Sequence, residues 1–126
     1  MENPYPPFTS ESVQRILSFL PAFERGEFKD AIDLYMKSGQ NPPQVDELIC
    51  AVYRSGLVFP FNWGGWNWRG ALQTIDNADV LTLRKLMTAF VRGDRFSGGA
   101  MPGLCADGSV QRVLDRLRVI AAASGG

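Results

Sequence analysis

Two short segments carry the side chains that could bind or convert a ligand. The first is Arg92-Gly-Asp94-Arg95-Phe96, in which two guanidinium groups flank one carboxylate. In a catalytic interpretation, Arg92 and Arg95 hold an anionic substrate while Asp94 orients it or accepts its proton. The pattern favours a structural interpretation, an ion pair at a helix end, where cations meet the negative end of the helix dipole.

The second segment is the most aromatic part of the chain and contains Phe59, Phe61, Trp63, Trp66 and Trp68 within ten residues. Tryptophans on an irregular backbone could stack on a sugar, a base or a proline-rich peptide. The alternative is that they fill the core of a small domain, and the high average burial of large aromatic residues favours it. We therefore expect Trp63 and Trp66 in the core and Trp68 nearer its rim.

The residues that usually perform catalysis or bind metals are scarce. The chain has no histidine, so neither a Cys–His pair nor an imidazole ligand can form. Cys50 and Cys105 lie 55 positions apart, which predicts two free thiols. The run Ser97–Gly103 matches neither common phosphate-loop motif. We assign no catalytic residue, no metal site and no cofactor, although an enzyme that uses carboxylates alone stays open.

The net charge of zero, from 13 basic and 13 acidic residues, hides a gradient along the chain. Residues 1–50 hold eight acidic and four basic side chains, whereas residues 84–126 hold three acidic and seven basic ones. Nucleic-acid binding would require the basic third to gather into one patch. Asp115 lies among Arg112, Arg116 and Arg118, which is more typical of a solvated helix face, so nucleic acid is a disfavoured partner.

Helical periodicity dominates the elements that must position these residues. Apolar residues recur at helical spacing from Val13 to Leu20 and again from Val110 to Ile120. The clearest helix runs from Leu81 to about Val91, with Arg84 and Lys85 on its outer side. We expect residues 93–108 to be irregular, with at most one turn at 101–106. The sequence predicts an all-α fold of five to six short helices, joined in the middle by a Trp-rich connector.

The whole chain, residues 1–126, is predicted to be one domain with flexible ends at 1–8 and 124–126. Its longest apolar run is shorter than the roughly 18 residues that cross a bilayer, and its first residues lack the pattern of a signal peptide. These features predict a cytoplasmic protein with no membrane role.

Three segments in this order resemble a family of small uncharacterised bacterial proteins, a domain of unknown function. They are Leu20-Pro-Ala-Phe23, the stretch from Leu57 to Trp66, and the stretch from Leu81 to Phe96. The resemblance covers most of residues 13–118 and implies no activity. It implies that the family pattern includes Trp63, Trp66, Arg92, Asp94, Arg95 and Phe96. This chain departs from that pattern at Asn62 and Gly98, where acidic residues are expected.

Together these features predict a binding or protein-interaction module, with a protein partner or a second copy of the chain as its partner. Its candidate surface joins Trp63 and Trp66 to the corner formed by Arg92, Asp94, Arg95 and Phe96. One alternative is an enzyme that acts on an anionic small molecule through Asp94 with Arg92 or Arg95. The other is a nucleic-acid-associated protein that uses the basic C-terminal third.

Overall fold

The computed structural model describes residues 8–96 and 98–125, and gives the backbone alone for residues 96, 124 and 125. This part of the chain is helical and contains no strand, which confirms the all-α prediction. Its elements in chain order are α1 Ser10–Leu17, α2 Leu20–Glu24, α3 Ala31–Ser38, α4 Pro43–Ser55, α5 Trp68–Gln73, a 3₁₀ helix Ile75–Asn77, α6 Val80–Phe96, α7 Ala100–Ala106 and α8 Ser109–Gly125.

Local signals set where several of these helices begin. The Thr9 side chain accepts a hydrogen bond from the Ser12 N–H at the start of α1. Asn67 accepts one from the Gly70 N–H at α5, and Asp79 accepts one from the Thr82 N–H at α6. Each cap satisfies a backbone donor that has no partner within its own helix.

The helices pack around one hydrophobic core, in which α6 contacts α5, α7 and α8. Helix α1 packs on α4 and α8, and α3 packs on α7. Leu83, Leu86, Met87, Phe90 and Val91 of α6 are all buried, as the helical spacing predicted. The opposite side of α6 is therefore the side that remains for the aromatic connector.

The segment 93–108, predicted to be irregular, is largely helical. Helix α6 continues through Gly93 to Phe96, and α7 follows after a turn at Gly98 and Gly99. Gly99 has φ +93°, and a Cβ atom there would lie 3.0 Å from the Tyr35 ring of α3. The glycines therefore allow a tight turn next to the Tyr35 ring. Packing against the core stabilises the helices on either side of this turn.

The helix count is higher than five to six, because Ser18 and Phe19 separate α1 from α2 and because α7 is a helix. Of the ends predicted to be flexible, residues 1–7 and 126 lie outside the described residues. Phe8 packs against the core. No helix in the described ranges is long and apolar enough to cross a membrane.

Candidate functional site

Residues 57–67 form an irregular segment, here called the aromatic strap, that links α4 to α5 across the outer side of α6. Its first residues, Leu57 and Val58, are fully buried and fix it to the core. From Phe59 onward the aromatic side chains of the strap are only half-buried. The strap thus begins as core and continues as surface.

Arg84 and Thr88 of α6 hold the strap in place. The Arg84 guanidinium donates to the carbonyl oxygens of Gly56 at 2.9 Å and Leu57 at 3.4 Å. The Phe59 N–H donates to the buried Thr88 hydroxyl at 3.3 Å. Arg84 also lies over the rings of Phe59 and Phe8, at 4.7 and 5.6 Å from their centroids. Its burial lowers the pKa of this guanidinium.

Beyond Phe59 the strap continues as a row of contacting rings. Phe59 stacks on Phe61 with centroids 5.1 Å apart, and Phe61 meets Trp66 edge-on at 5.8 Å. The Lys85 ammonium lies 5.9 Å from the centroids of both Phe61 and Trp66. Arg84 and Lys85 thus lie on the outer side of α6, as predicted, but they are half-buried there because the strap packs over them.

The three tryptophans occupy neither the core nor open solvent. Trp63, Trp66 and Trp68 are all half-buried, which corrects the prediction that the first two fill the core. Trp66 and Trp68 pack against the core edge, and Trp68 meets Phe90 edge-on at 5.5 Å. Aliphatic residues and phenylalanines already fill the interior, so the indoles remain at its boundary.

Two clefts border the strap. The strap cleft, of about 540 Å³, is lined by Phe59, Pro60, Phe61, Asn62, Trp63 and Arg92. The polar cleft, of about 410 Å³, is lined by Trp66, Ala71, Thr74, Asn77, Ala78, Asp79, Thr82 and Lys85. The first cleft is aromatic with one cation, whereas the second combines one aromatic face with many hydrogen-bonding groups.

The Asp94 corner, formed by the last turn of α6 and the start of α7, is organised differently. The Asp94 carboxylate accepts a hydrogen bond of 2.9 Å from the Met101 N–H and so caps α7. The favoured ion pair between Asp94 and an arginine is absent from the described residues. Arg95 is exposed, and the Phe96 side chain lies outside the described part.

The structure therefore divides the predicted site. Trp63 and Arg92 line one cleft, Trp66 borders the next, and Asp94 turns away to serve the backbone of α7. Sequence reasoning missed the role of Arg84, Lys85 and Thr88. A signal existed, since Arg84, Thr88 and Arg92 recur every four residues on one side of α6.

The basic C-terminal third is largely engaged with the backbone. Arg112 donates to the Leu72 carbonyl at 3.1 Å, and Arg116 donates to the Ala78 carbonyl at 2.9 Å. Arg118 pairs with Asp115 at 3.0 Å and with Glu24 at 3.6 Å. Arg112 remains exposed, as expected, although it bonds to a carbonyl, whereas Arg116 is half-buried, so the solvated position expected for Arg116 is wrong. Both side chains satisfy carbonyls at the ends of short helices.

The two cysteines are free thiols, as predicted, in contrasting surroundings. Cys50 is exposed in a groove between α1 and α4. Cys105 of α7 is buried, and this burial, together with the nearby carboxylates of Asp107 and Asp94, raises its pKa to about 12. Among the described residues no three His, Cys, Asp or Glu side chains are grouped to hold a metal ion.

Comparison with protein-family models matches residues 8–123 to DUF6508, a family of unknown function. The chain belongs to this family. The resemblance to a domain of unknown function is thereby confirmed, and DUF6508 membership assigns no activity to the clefts. Searches of curated proteins and of solved structures found no match.

Proposed function

We propose that this protein is an interaction module that binds an extended acidic segment of a partner protein in the strap cleft. The observation that carries the proposal is the cleft's wall: aromatic rings remain half-exposed beside a cation instead of closing into the core. A single partly exposed ring is ordinary on a protein surface, but several rings that adjoin one another in a cleft form the kind of contiguous apolar surface that a partner recognises.

The shape and stiffness of the strap cleft suit a peptide. Phe59 and Phe61 are stacked, Pro60 is rigid, and Arg84 and Thr88 hold the backbone of the strap. A wall arranged in this way loses little conformational freedom when a ligand binds. Aromatic grooves of this kind accept the apolar and proline side chains of extended segments.

The charges beside the cleft favour an acidic partner. Lys85 and Arg92 fall on one stripe of α6, because residues seven positions apart on a helix return to within about 20° of the same direction, and Arg95 lies about 60° round the helix from Arg92. Asp94 lies on the opposite side of the helix, where it caps α7. The stripe therefore carries positive charge without that carboxylate, which complements Asp and Glu side chains.

The alternative enzyme is not favoured by any contact. Its proposed base, Asp94, already accepts the Met101 N–H and does not line either cleft. The nucleic-acid alternative is disfavoured because Arg112 and Arg116, which would contact phosphates, donate to backbone carbonyls instead.

Short synthetic peptides in which Asp and Glu alternate with Pro and Leu test the proposal against matched peptides with Lys in place of the acids. Tryptophan emission and backbone NMR shifts report binding to the full chain. We expect the acidic peptides to bind and to weaken as salt is added, because surface ion pairs are screened. Trp63→Ala should weaken binding roughly tenfold, as loss of an aromatic anchor commonly does.

Met36→Ala is the matched control, because Met36 is an apolar side chain of α3 that is 74% exposed. It should leave peptide affinity unchanged. Binding of the lysine peptides, or an equal loss in Met36→Ala and Trp63→Ala, would contradict the proposal. Self-association that Trp63→Ala abolishes would contradict it too, by identifying a second copy of the chain as the occupant.

A further inference from the structure

The polar cleft presents a different chemistry from the strap cleft. Trp66, Ala71 and Ala78 supply its apolar lining, and the other lining side chains carry two hydroxyls, one carboxamide, one carboxylate and one ammonium. These groups belong to Thr74, Thr82, Asn77, Asp79 and Lys85. A small-ligand site typically combines an apolar face with a few convergent polar groups, in a volume of roughly 300–1,000 Å³. At about 410 Å³ the polar cleft falls in that range of size, and its lining is richer in polar groups than that of a typical site.

Much of the hydrogen-bonding capacity in this cleft is left for a ligand. Asp79 accepts hydrogen bonds from the Thr82 N–H, at 2.8 Å, and from the Thr82 side chain, and its two carboxylate oxygens keep further lone pairs as acceptors. Thr74 donates its hydroxyl proton to the Ala71 carbonyl at 3.3 Å and keeps its lone pairs. The Asn77 side chain is exposed and bonds to no described residue, so its amide offers both a donor and an acceptor.

The charges of the cleft select a neutral ligand. Lys85 and Asp79 contribute opposite charges to the lining, so neither an anion nor a cation is favoured overall. Hydrogen bonds from Thr82 lower the pKa of Asp79, which keeps it ionised at neutral pH. An acidic peptide would meet Asp79, and an apolar one would cover polar groups without giving them partners, which is unfavourable.

We propose that the polar cleft binds a neutral saccharide, with one apolar ring face on Trp66 and the hydroxyl groups on Asn77, Asp79, Thr82 and Lys85. Sugar hydroxyls both donate and accept, which matches the mixture of donors and acceptors in this lining. The C–H face of a pyranose is apolar and flat enough to pack on an indole. None of the residues that line this site lines the strap cleft, although Lys85 also contributes to the positive charge beside that cleft.

The test uses the full chain with cellobiose, maltose, lactose and N,N′-diacetylchitobiose as probes. Saturation-transfer NMR detects contact, and the Trp66 indole N–H signal, assigned by comparison with Trp66→Phe, locates it. We expect at least one disaccharide to shift this signal with millimolar affinity. Asn77→Ala should weaken that binding roughly fivefold, as expected for the loss of a hydrogen bond to a neutral hydroxyl.

Asn62→Ala is the matched control, since Asn62 is an exposed asparagine that lines the strap cleft instead. It should leave saccharide affinity unchanged, and Trp63→Ala should do the same. Conversely, Asn77→Ala should not alter peptide binding, so the two proposals can fail separately. Absence of any Trp66 shift at tens of millimolar sugar would overturn the saccharide site. Tighter binding of glucuronate than of methyl glucoside would contradict the preference for a neutral ligand. Equal effects of Asn77→Ala and Asn62→Ala on saccharide affinity would contradict the location of the site in the polar cleft.

Discussion

The aromatic strap and the Asp94 corner use the same helix, α6, in opposite ways. Under the strap, Arg84 and Thr88 fix the backbone, and the rings above them remain half-exposed. At the corner, Asp94 caps α7, Met101 is buried, and Tyr35 lies against the glycine turn. The charged Asp94 side chain therefore has a structural role, because it bonds to the backbone, whereas the rings beside Lys85 and Arg92 form a surface that a ligand can reach.

The largest expected contrast is the reactivity of the two thiols. A pKa of about 12 against the ordinary 9.0 leaves Cys105 with roughly a thousandfold less thiolate at pH 8, before its burial is considered. We expect iodoacetamide to label Cys50 quickly and Cys105 at a rate lower by at least that factor, as measured by mass spectrometry. Comparable labelling of both would show that the corner opens locally and is not the closed region described above.

The same thiol predicts a pH dependence. Because folding raises its pKa, the contribution of protonated Cys105 to stability is complete below about pH 9 and is lost as the pH rises towards 12. The difference in urea midpoint between the wild type and Cys105→Ala should therefore shrink between pH 8 and pH 11. A difference that stays constant over this range would contradict the burial of this thiol.

Arg84→Met tests the anchor of the strap. It keeps the length of the side chain but removes the donors to Gly56 and Leu57, so unfolding should become easier by about 2 kcal/mol in urea titrations. Amide exchange at Phe59 should accelerate as well. Arg95→Met is the control at the corner, where the exposed side chain should contribute less than about 0.5 kcal/mol. Equal losses of unfolding free energy in Arg84→Met and Arg95→Met would show that Arg84 anchors the strap no more than an exposed arginine does.

Asp94→Ala tests whether the corner is structural. Loss of an N-terminal cap should cost about 1 kcal/mol of unfolding free energy and should leave peptide affinity unchanged. Asp94→Asn, which can still accept the Met101 N–H, should recover most of that stability. If Asp94→Asn abolishes peptide binding while stability is retained, the carboxylate belongs to the binding surface.

Gly93→Ala should have the smallest effect and the opposite sign. Gly93 lies within α6, and a Cβ atom there would meet nothing within 4 Å. Alanine should therefore stabilise the chain by about 0.5–1 kcal/mol through its higher helix propensity. Gly99→Ala is the contrasting variant, since φ +93° and Tyr35 make a side chain unfavourable there. A destabilised Gly93→Ala variant would mean that this end of α6 needs a glycine.

Sequence patterns recovered the parts of the fold that depend on local periodicity. Most of the buried residues of α6 between Leu83 and Val91 and of α8 between Val110 and Leu117 follow the predicted helical spacing, whereas the burial of Thr88 and Ala89 was not predicted. The short helix α7 and the extension of α6 past Gly93 were not, because glycine lowers local helix propensity and only tertiary packing compensates. Trp63 and Arg92 were predicted as site residues, but their shared cleft depends on the path of the strap.

The amino-acid sequence by itself determined an all-α chain with an aromatic connector, a basic last third and no histidine, because periodicity and composition are local properties. Only the tertiary structure decided what each charge does. Arg84, Arg112 and Arg116 donate to carbonyls 27 to 40 residues away, and Asp94 caps the following helix. A carbonyl at a helix end has no partner within its helix, so it needs a donor from elsewhere in the chain. Contacts between distant segments therefore decide which charged side chains bond to the backbone and which border the clefts.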